Sequence, residues 1–329
     1  MQIIIDIILP IFAIIFCGYI AGRIGVVSAS GSKTLNSYVF YIALPALLFY
    51  AVANAPISQL TNWNFLFANL IGILSSFFLT ILFMHIFLKK RSAVLSIYGM
   101  NASYGTTGYM GLPLLIAAFG NEAALPAALA TLIHNVPVIA TVIVTFEWVR
   151  AKENKNEKGL FYFLQDVLKP VLFHPITLSV LLGIVFSLFN ITLPKSIDIF
   201  ASFLSDAAGP TALFAIGLGL TNQKELLKWS SLVNREVNFL IFMKLVFQPV
   251  VTTFLVFFVF ELEPMWALAS ILMSALPIGA GVFVFAQKYE KITHETSTGI
   301  VLSLLISVLT ISVLFIYLID LYSISKLIL

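Results

Sequence analysis

The chain has almost none of the residues that build disulfides and metal centres. It carries one cysteine, Cys17, and four histidines in 329 residues. A disulfide within the chain is therefore impossible, and a His/Cys metal centre is disfavoured. Charge is equally scarce. Only 10% of residues are Asp, Glu, Lys or Arg, against about 25% in an ordinary soluble domain. The net charge of +3 is small and dispersed over loops, which argues against nucleic acid as a partner. Enzyme signatures are missing as well. His294-Glu295 is not followed by a second histidine at the zinc-protease spacing, and there is no Gly-x-Ser-x-Gly elbow and no phosphate-binding loop ending in Gly-Lys-Ser/Thr. No catalytic residue, cofactor or metal is implied.

Apolar side chains fill the space that charge leaves. Hydrophobic residues make up 60% of the chain, with a mean hydropathy of +1.04, and so much apolar surface needs lipid to cover it. A helix crosses the hydrocarbon core with about 20 apolar residues. Cutting at charged or turn-rich stretches gives spans at 3–22, 34–53, 63–88, 93–119 and 123–148, then 169–189, 197–220, 236–260, 265–288 and 294–320. The first has no basic residues before it and carries Asp6, so it reads as a membrane helix, not a cleavable leader. A polar linker, 150–168, separates a first half, 1–149, from a second half, 169–329.

Basic residues set the orientation. All Lys and Arg except Lys195, Lys326 and Lys244 fall in alternate loops. Those loops are expected on the cytoplasmic side, with both termini outside and the central loop inside. Five spans is an odd number, so the second half enters from the opposite side and the repeat is inverted. Traces of it remain: Leu44-Pro45 in span 2 is similar to Gly209-Pro210 in span 7, and Asn121-Glu122 opens span 5 much as His294-Glu295 opens span 10.

Two spans are interrupted, and each is the fourth of its half. Span 4 carries Gly105-Thr106-Thr107-Gly108-Tyr109-Met110-Gly111-Leu112-Pro113; span 9 carries Pro277-Ile278-Gly279-Ala280-Gly281. Glycine and proline break helices, and lipid cannot satisfy the peptide groups that a break leaves unpaired. Paired breaks at matched positions point to a binding site at mid-membrane. Half-helix N-termini would hold a carboxylate there. Thr106, Thr107, Gly108 and Pro113, with Pro277, Ile278, Gly279 and Gly281, are the candidate contacts, joined by Asn101 earlier in span 4 and Asn135 on the neighbouring span 5. The simpler reading of such Gly and Pro is close packing and kinking. Lys244, inside span 8, and Asp206, in span 7, are candidates for charge balance or proton coupling. Lys244 placed near the cytoplasmic end could instead extend to the interface, and Asp206 could serve only a polar patch. For Asn69, Asn101, His134 and Asn135 interhelical hydrogen bonding is the default.

Met110-Gly111-Leu112-Pro113-Leu114-Leu115, Ala275-Leu276-Pro277 with Gly279, Phe283-Val284-Phe285-Ala286, Leu44-Pro45, and Ser205-Asp206-Ala207-Ala208 through Leu213-Phe214 resemble, in order and spacing, the auxin efflux carrier family, which includes bacterial malate and malonate permeases. The resemblance implies an all-α membrane protein of ten transmembrane helices in two inverted five-helix repeats, with helices 4 and 9 broken and crossed, as in sodium–proton antiporters and bile-acid symporters. It further implies a scaffold of spans 1, 2, 6 and 7, often dimeric, and a moving domain of spans 3–5 and 8–10. Small organic anions such as malate or malonate are the implied substrates, carried across the plasma or inner membrane. Where plant members carry Pro-Asn-Thr this chain has Gly105-Thr106-Thr107, and Asn69 stands near their span-3 acid. The rival expectations are a sodium-coupled symporter or cation–proton antiporter of the same crossover fold, and a non-transporting receptor or scaffold.

Overall fold

The computed structural model describes residues 9–28, 31–87, 93–153, 169, 172–173, 175–221 and 234–328. The regular elements among them are helices: α1 (Leu9–Arg23), α2 (Gly31–Ala53), α3 (Trp63–Ile86), α4 (Val94–Ser103), α5 (Thr107–Phe119), α6 (Ala124–Glu153), α7 (Pro175–Leu188), α8 (Lys195–Leu220), α9 (Arg235–Val259), α10 (Pro264–Ser274), α11 (Gly281–Lys288) and α12 (Thr293–Ile328). Six helical stretches among the described residues are long and apolar enough to cross a membrane, and α1, α5, α7 and α10 are shorter apolar helices. Spans 4 and 9 of the sequence appear as the pairs α4/α5 and α10/α11. Helix α6, the helix of span 5, runs on through Glu153, into what the sequence suggested as linker. Residues 154–168 of that linker, and Lys89, Lys90, Arg91, Lys155, Lys158, Lys224 and Lys228, lie outside the described residues.

Three prolines reshape their helices without ending them. Pro45, Pro113 and Pro249 have no N–H to offer four residues back. In each case the residue just before the proline bonds five residues back instead: Leu44 N–H to Val39 O, Leu112 N–H to Thr107 O and Gln248 N–H to Met243 O. The result is a π-turn at Val39–Ala43, Thr107–Gly111 and Met243–Phe247, the kind of local widening that re-satisfies backbone inside a membrane. Pro113 therefore does not keep span 4 broken, as the sequence suggested. The break lies upstream at 104–106, and Pro113 widens the helix that follows it.

Helix α1 packs on α8, α2 on α7 and α8, and α3 on α4, α6 and α9, with α12 against α9 and α11. The α1/α8 contact is backbone-close: a Cβ on Gly217 would lie 1.7 Å from Ile15 O. Large apolar side chains such as Phe16, Phe78, Phe203, Phe258 and Leu309 face outward, as lipid contact requires.

Buried apolar residues separate into two main clusters along the bundle. One holds Phe65, Ala68, Leu129, Ala130, Val256 and Leu304; the other holds Ile73, Phe77, Val138, Val142, Leu245 and Leu302. Between them in sequence, on several helices at once, fall buried polar residues: Asn69 on α3, Thr131, His134 and Asn135 on α6, Gln248 on α9 and Ser303 on α12. A polar layer thus divides an apolar bundle, and the two helix breaks lie in it.

Candidate functional site

Helix α4 stops because Tyr104 turns extended (φ −79°, ψ 116°) before Gly105. Helix α10 stops before Pro277, which cannot continue it. The two unwound segments then cross as an antiparallel bridge between Gly105 and Ile278. Thr106 N–H donates to Pro277 O at 3.1 Å, and Gly279 N–H donates to Tyr104 O at 3.0 Å. Ile278 N–H donates to Ser303 Oγ on α12 at 3.0 Å. Gly279 is required at this approach: a Cβ there would lie 2.6 Å from the Tyr104 ring and 2.8 Å from Gly105 O.

Of the second break's candidate contacts, Pro277 O and Gly279 N–H are engaged in the crossing and Ile278 N–H is engaged by Ser303. Gly281 opens α11, where a Cβ would lie 2.8 Å from the Tyr104 hydroxyl. Gly108 sits in the π-turn of α5, packed near Leu44 and Thr131.

What the crossing leaves free is on the first break. Thr106 and Thr107 are 8% and 1% exposed, and both hydroxyls lack a hydrogen-bond partner among the described residues. The first-turn N–H groups of Thr107, Gly108 and Tyr109 have no acceptor within α5. Asn135 Oδ1, one turn beyond Thr131 on α6, is also buried and unpartnered. Buried polar atoms without partners are uncommon and call for an explanation; two of those among the described residues, the Thr106 and Thr107 hydroxyls, stand together at the N-terminus of α5.

The other named polar residues are more fully engaged. Asn101 Nδ2 donates to Ile97 O and to Thr296 Oγ1 on α12, leaving Oδ1 open. Asn69 Nδ2 donates to Ser270 Oγ at 2.8 Å, and its Oδ1 lies 3.3 Å from His134 Nε2. That network ties α3, α6 and α10 together. The Tyr98 hydroxyl on α4 donates to Glu236 at the start of α9.

Lys244 lies at the crossing, not near the cytoplasmic end as the sequence suggested. It is fully buried. Its Nζ donates to Ser274 O, the last carbonyl of α10, at 2.6 Å and to Gln248 Oε1 at 2.9 Å. A Cβ on Gly105 would lie 3.3 Å from that Nζ. Gln248, Ser303, Ser274 and Tyr104 escaped the sequence reading. Gln248 had a signal, since it stands four residues after Lys244 on an apolar helix and so shares its face.

Asp206 is elsewhere. It is exposed and lines a cavity of about 1110 Å³ with Tyr50, Asn54, Glu122, Pro113 and Trp266. The cavity sits where α2 ends and where α1, α6 and α10 begin, and no Lys, Arg or His is among its lining residues.

A helical bundle with apolar outer faces and two crossed breaks in a buried polar layer is the architecture of a multi-pass membrane transporter. The chain belongs to the membrane transport protein family, the auxin efflux carrier group, whose family model matches residues 3–315. A Rhizobium meliloti protein named as a candidate malonate transporter is 30% identical over 306 residues, covering 93% of this chain and 92% of its own. The lysosomal cholesterol signaling protein of Mus musculus is 25% identical over 318 residues, covering 91% of this chain and 36% of that protein. Auxin efflux carrier component 8 of Arabidopsis thaliana is 26% identical over 156 residues, 46% of this chain and 41% of that one. The family is one of transporters, so the chain is not an enzyme.

Proposed function

We propose that the chain is a secondary carrier of a small organic anion, a mono- or dicarboxylate of the malonate or malate kind, working by alternating access in the cell membrane. The observation that carries this reading is the group of buried, unpartnered hydroxyls of Thr106 and Thr107 at the N-terminus of α5, across the crossing from the Lys244 amine. A carboxylate placed there would accept from the free first-turn N–H groups and the two hydroxyls, and would meet the positive end of the helix dipole. Lys244 supplies a nearby positive group. The malonate relative supports the substrate class.

The cavity beside Asp206 supports the two-bundle motion. It lies between α1, α2 and α8 on one side and α5, α6 and α10 on the other, and α5 presents Pro113 to both cavity and α8, where Gly209 accommodates it. With the basic loops cytoplasmic, that cavity is the outer vestibule and the crossing is closed from it. The repeat, the scaffold of spans 1, 2, 6 and 7 and its pairing with a second copy belong to the same proposal. Proteoliposomes loaded with unlabelled malonate and diluted into labelled malonate test it. Counterflow that malate competes for is expected, and Thr106→Val should reduce it about tenfold, the equivalent of about 1.4 kcal/mol. Absence of counterflow for every mono- and dicarboxylate in a panel would sink the reading.

A further inference from the structure

The environment of Lys244 is built for a cation. Its two partners, Ser274 O and Gln248 Oε1, are both oxygen acceptors, 2.6 and 2.9 Å from Nζ. Gln248 is fully buried, and its Nε2 has no partner among the described residues, so the amide turns its oxygen to the amine at the expense of its own donor. The negative end of a helix dipole favours a positive group at this position. In carriers with broken helices, such half-helix carbonyls are the usual ligands of a coupling ion.

The corresponding place at the first break is filled differently. There Ser76 Oγ on α3 donates to Ala102 O near the end of α4, at 2.8 Å. Ser76 and Lys244 each lie on the helix before a broken pair, and each donates to a carbonyl at the end of the first half-helix. One donor is neutral and the other is an amine.

We propose that Lys244 is a built-in cation, occupying at the second break the place where a sodium-coupled carrier would hold a metal ion, so that this chain needs no sodium there. The consequence for transport rests on the anion-carrier reading above; the occupancy of the oxygen seat does not. Removing the side chain leaves two acceptors facing a void that a small free cation can enter.

Purified wild type and Lys244→Ala are melted in sodium, choline and n-propylammonium chloride at equal ionic strength. Wild type is expected to melt at one temperature in sodium and choline. Lys244→Ala is expected to melt lower than wild type in choline, and to recover at least half of that loss in n-propylammonium or sodium. Stabilisation of wild type by sodium over choline overturns the proposal, as does a folded Lys244→Ala that melts alike in all three salts. If Lys244→Ala does not fold, Gln248→Ala decides: a lowered melting temperature that no salt restores supports the seat, and wild-type stability overturns it. Labelled-malonate uptake is run in parallel. Equal wild-type rates in sodium and choline support the proposal, and a requirement for sodium overturns it. No flux in any salt, with the melting pattern intact, removes the substrate reading and leaves the built-in cation standing.

Discussion

The two helix breaks do the same geometric task with different chemistry. The first spans only 104–106, and the Thr106 and Thr107 hydroxyls at its end are buried without partners among the described residues. The second spans 275–280, is mostly apolar, and its carbonyl end is already closed by a side chain amine. Each supplies one strand of the crossing, so the two breaks are held to one another by backbone hydrogen bonds. Under the proposed inverted repeat, the two halves would keep a matched backbone at the breaks while their side chains differ. In this account the first break recognises the ligand and the second fixes the charge.

Substitutions that treat the two breaks alike sharpen this contrast. The largest effect is expected from Gly279→Ala. Its Cβ would meet the Tyr104 ring and the Gly105 carbonyl at 2.6–2.8 Å, and backbone cannot move aside as a side chain can. A loss of about 2–3 kcal/mol in stability and of most uptake is expected. At the first break, Gly105→Ala meets only the flexible end of Lys244 and the Leu276 Cβ, at 3.3–3.5 Å, so its loss in thermal or chemical unfolding should be smaller. Equal losses would show that the breaks are not so different.

Next comes Ser76→Ala, the counterpart of removing Lys244. It deletes the hydrogen bond to Ala102 O at 2.8 Å and a longer contact to Met243 O at 3.5 Å, worth about 1 kcal/mol. Malonate uptake should stay within about twofold of wild type once corrected for the amount folded; a collapse comparable to that of Lys244→Ala would erase the distinction between neutral and charged donor. The smallest effect is expected from Asp206→Asn. The vestibule lining has two carboxylates, Asp206 and Glu122, and no basic side chain. Removing one lowers repulsion of an incoming anion, so KM for malonate should fall about twofold at low ionic strength and the change should fade with added salt. A rise in KM would place Asp206 in binding.

Much of this architecture could be read in the sequence, for identifiable reasons. Most helix ends fall within a few residues of the charged and turn-rich stretches, because lipid leaves the chain little freedom about which segments are buried, but the helices of spans 5 and 10 run on to Glu153 and Ile328, past the expected ends at 148 and 320. The breaks were visible because Gly105 and Pro277 interrupt otherwise continuous apolar runs. Three matters were not visible. The first is depth: Lys244 was counted toward a helix end, but the position of a residue along the membrane normal depends on how its helix is seated among neighbours. The second is the mutual pairing of the breaks, a contact between residues far apart in the chain. The third is the role of Pro113, since a proline in a span can either end a helix or widen it, and only the bond from Leu112 to Thr107 distinguishes them. Of the four polar residues expected to bond between helices, Asn69, Asn101 and His134 do so, while Asn135 Oδ1 has no partner among the described residues.

Equilibrium binding of labelled malonate to purified wild type and to a Thr106→Val/Thr107→Val variant addresses the site most directly, with melting temperature recorded on the same samples. Affinity at least tenfold weaker in the variant, at unchanged melting temperature, is expected if these hydroxyls hold the carboxylate. Equal affinity in a folded variant would contradict it.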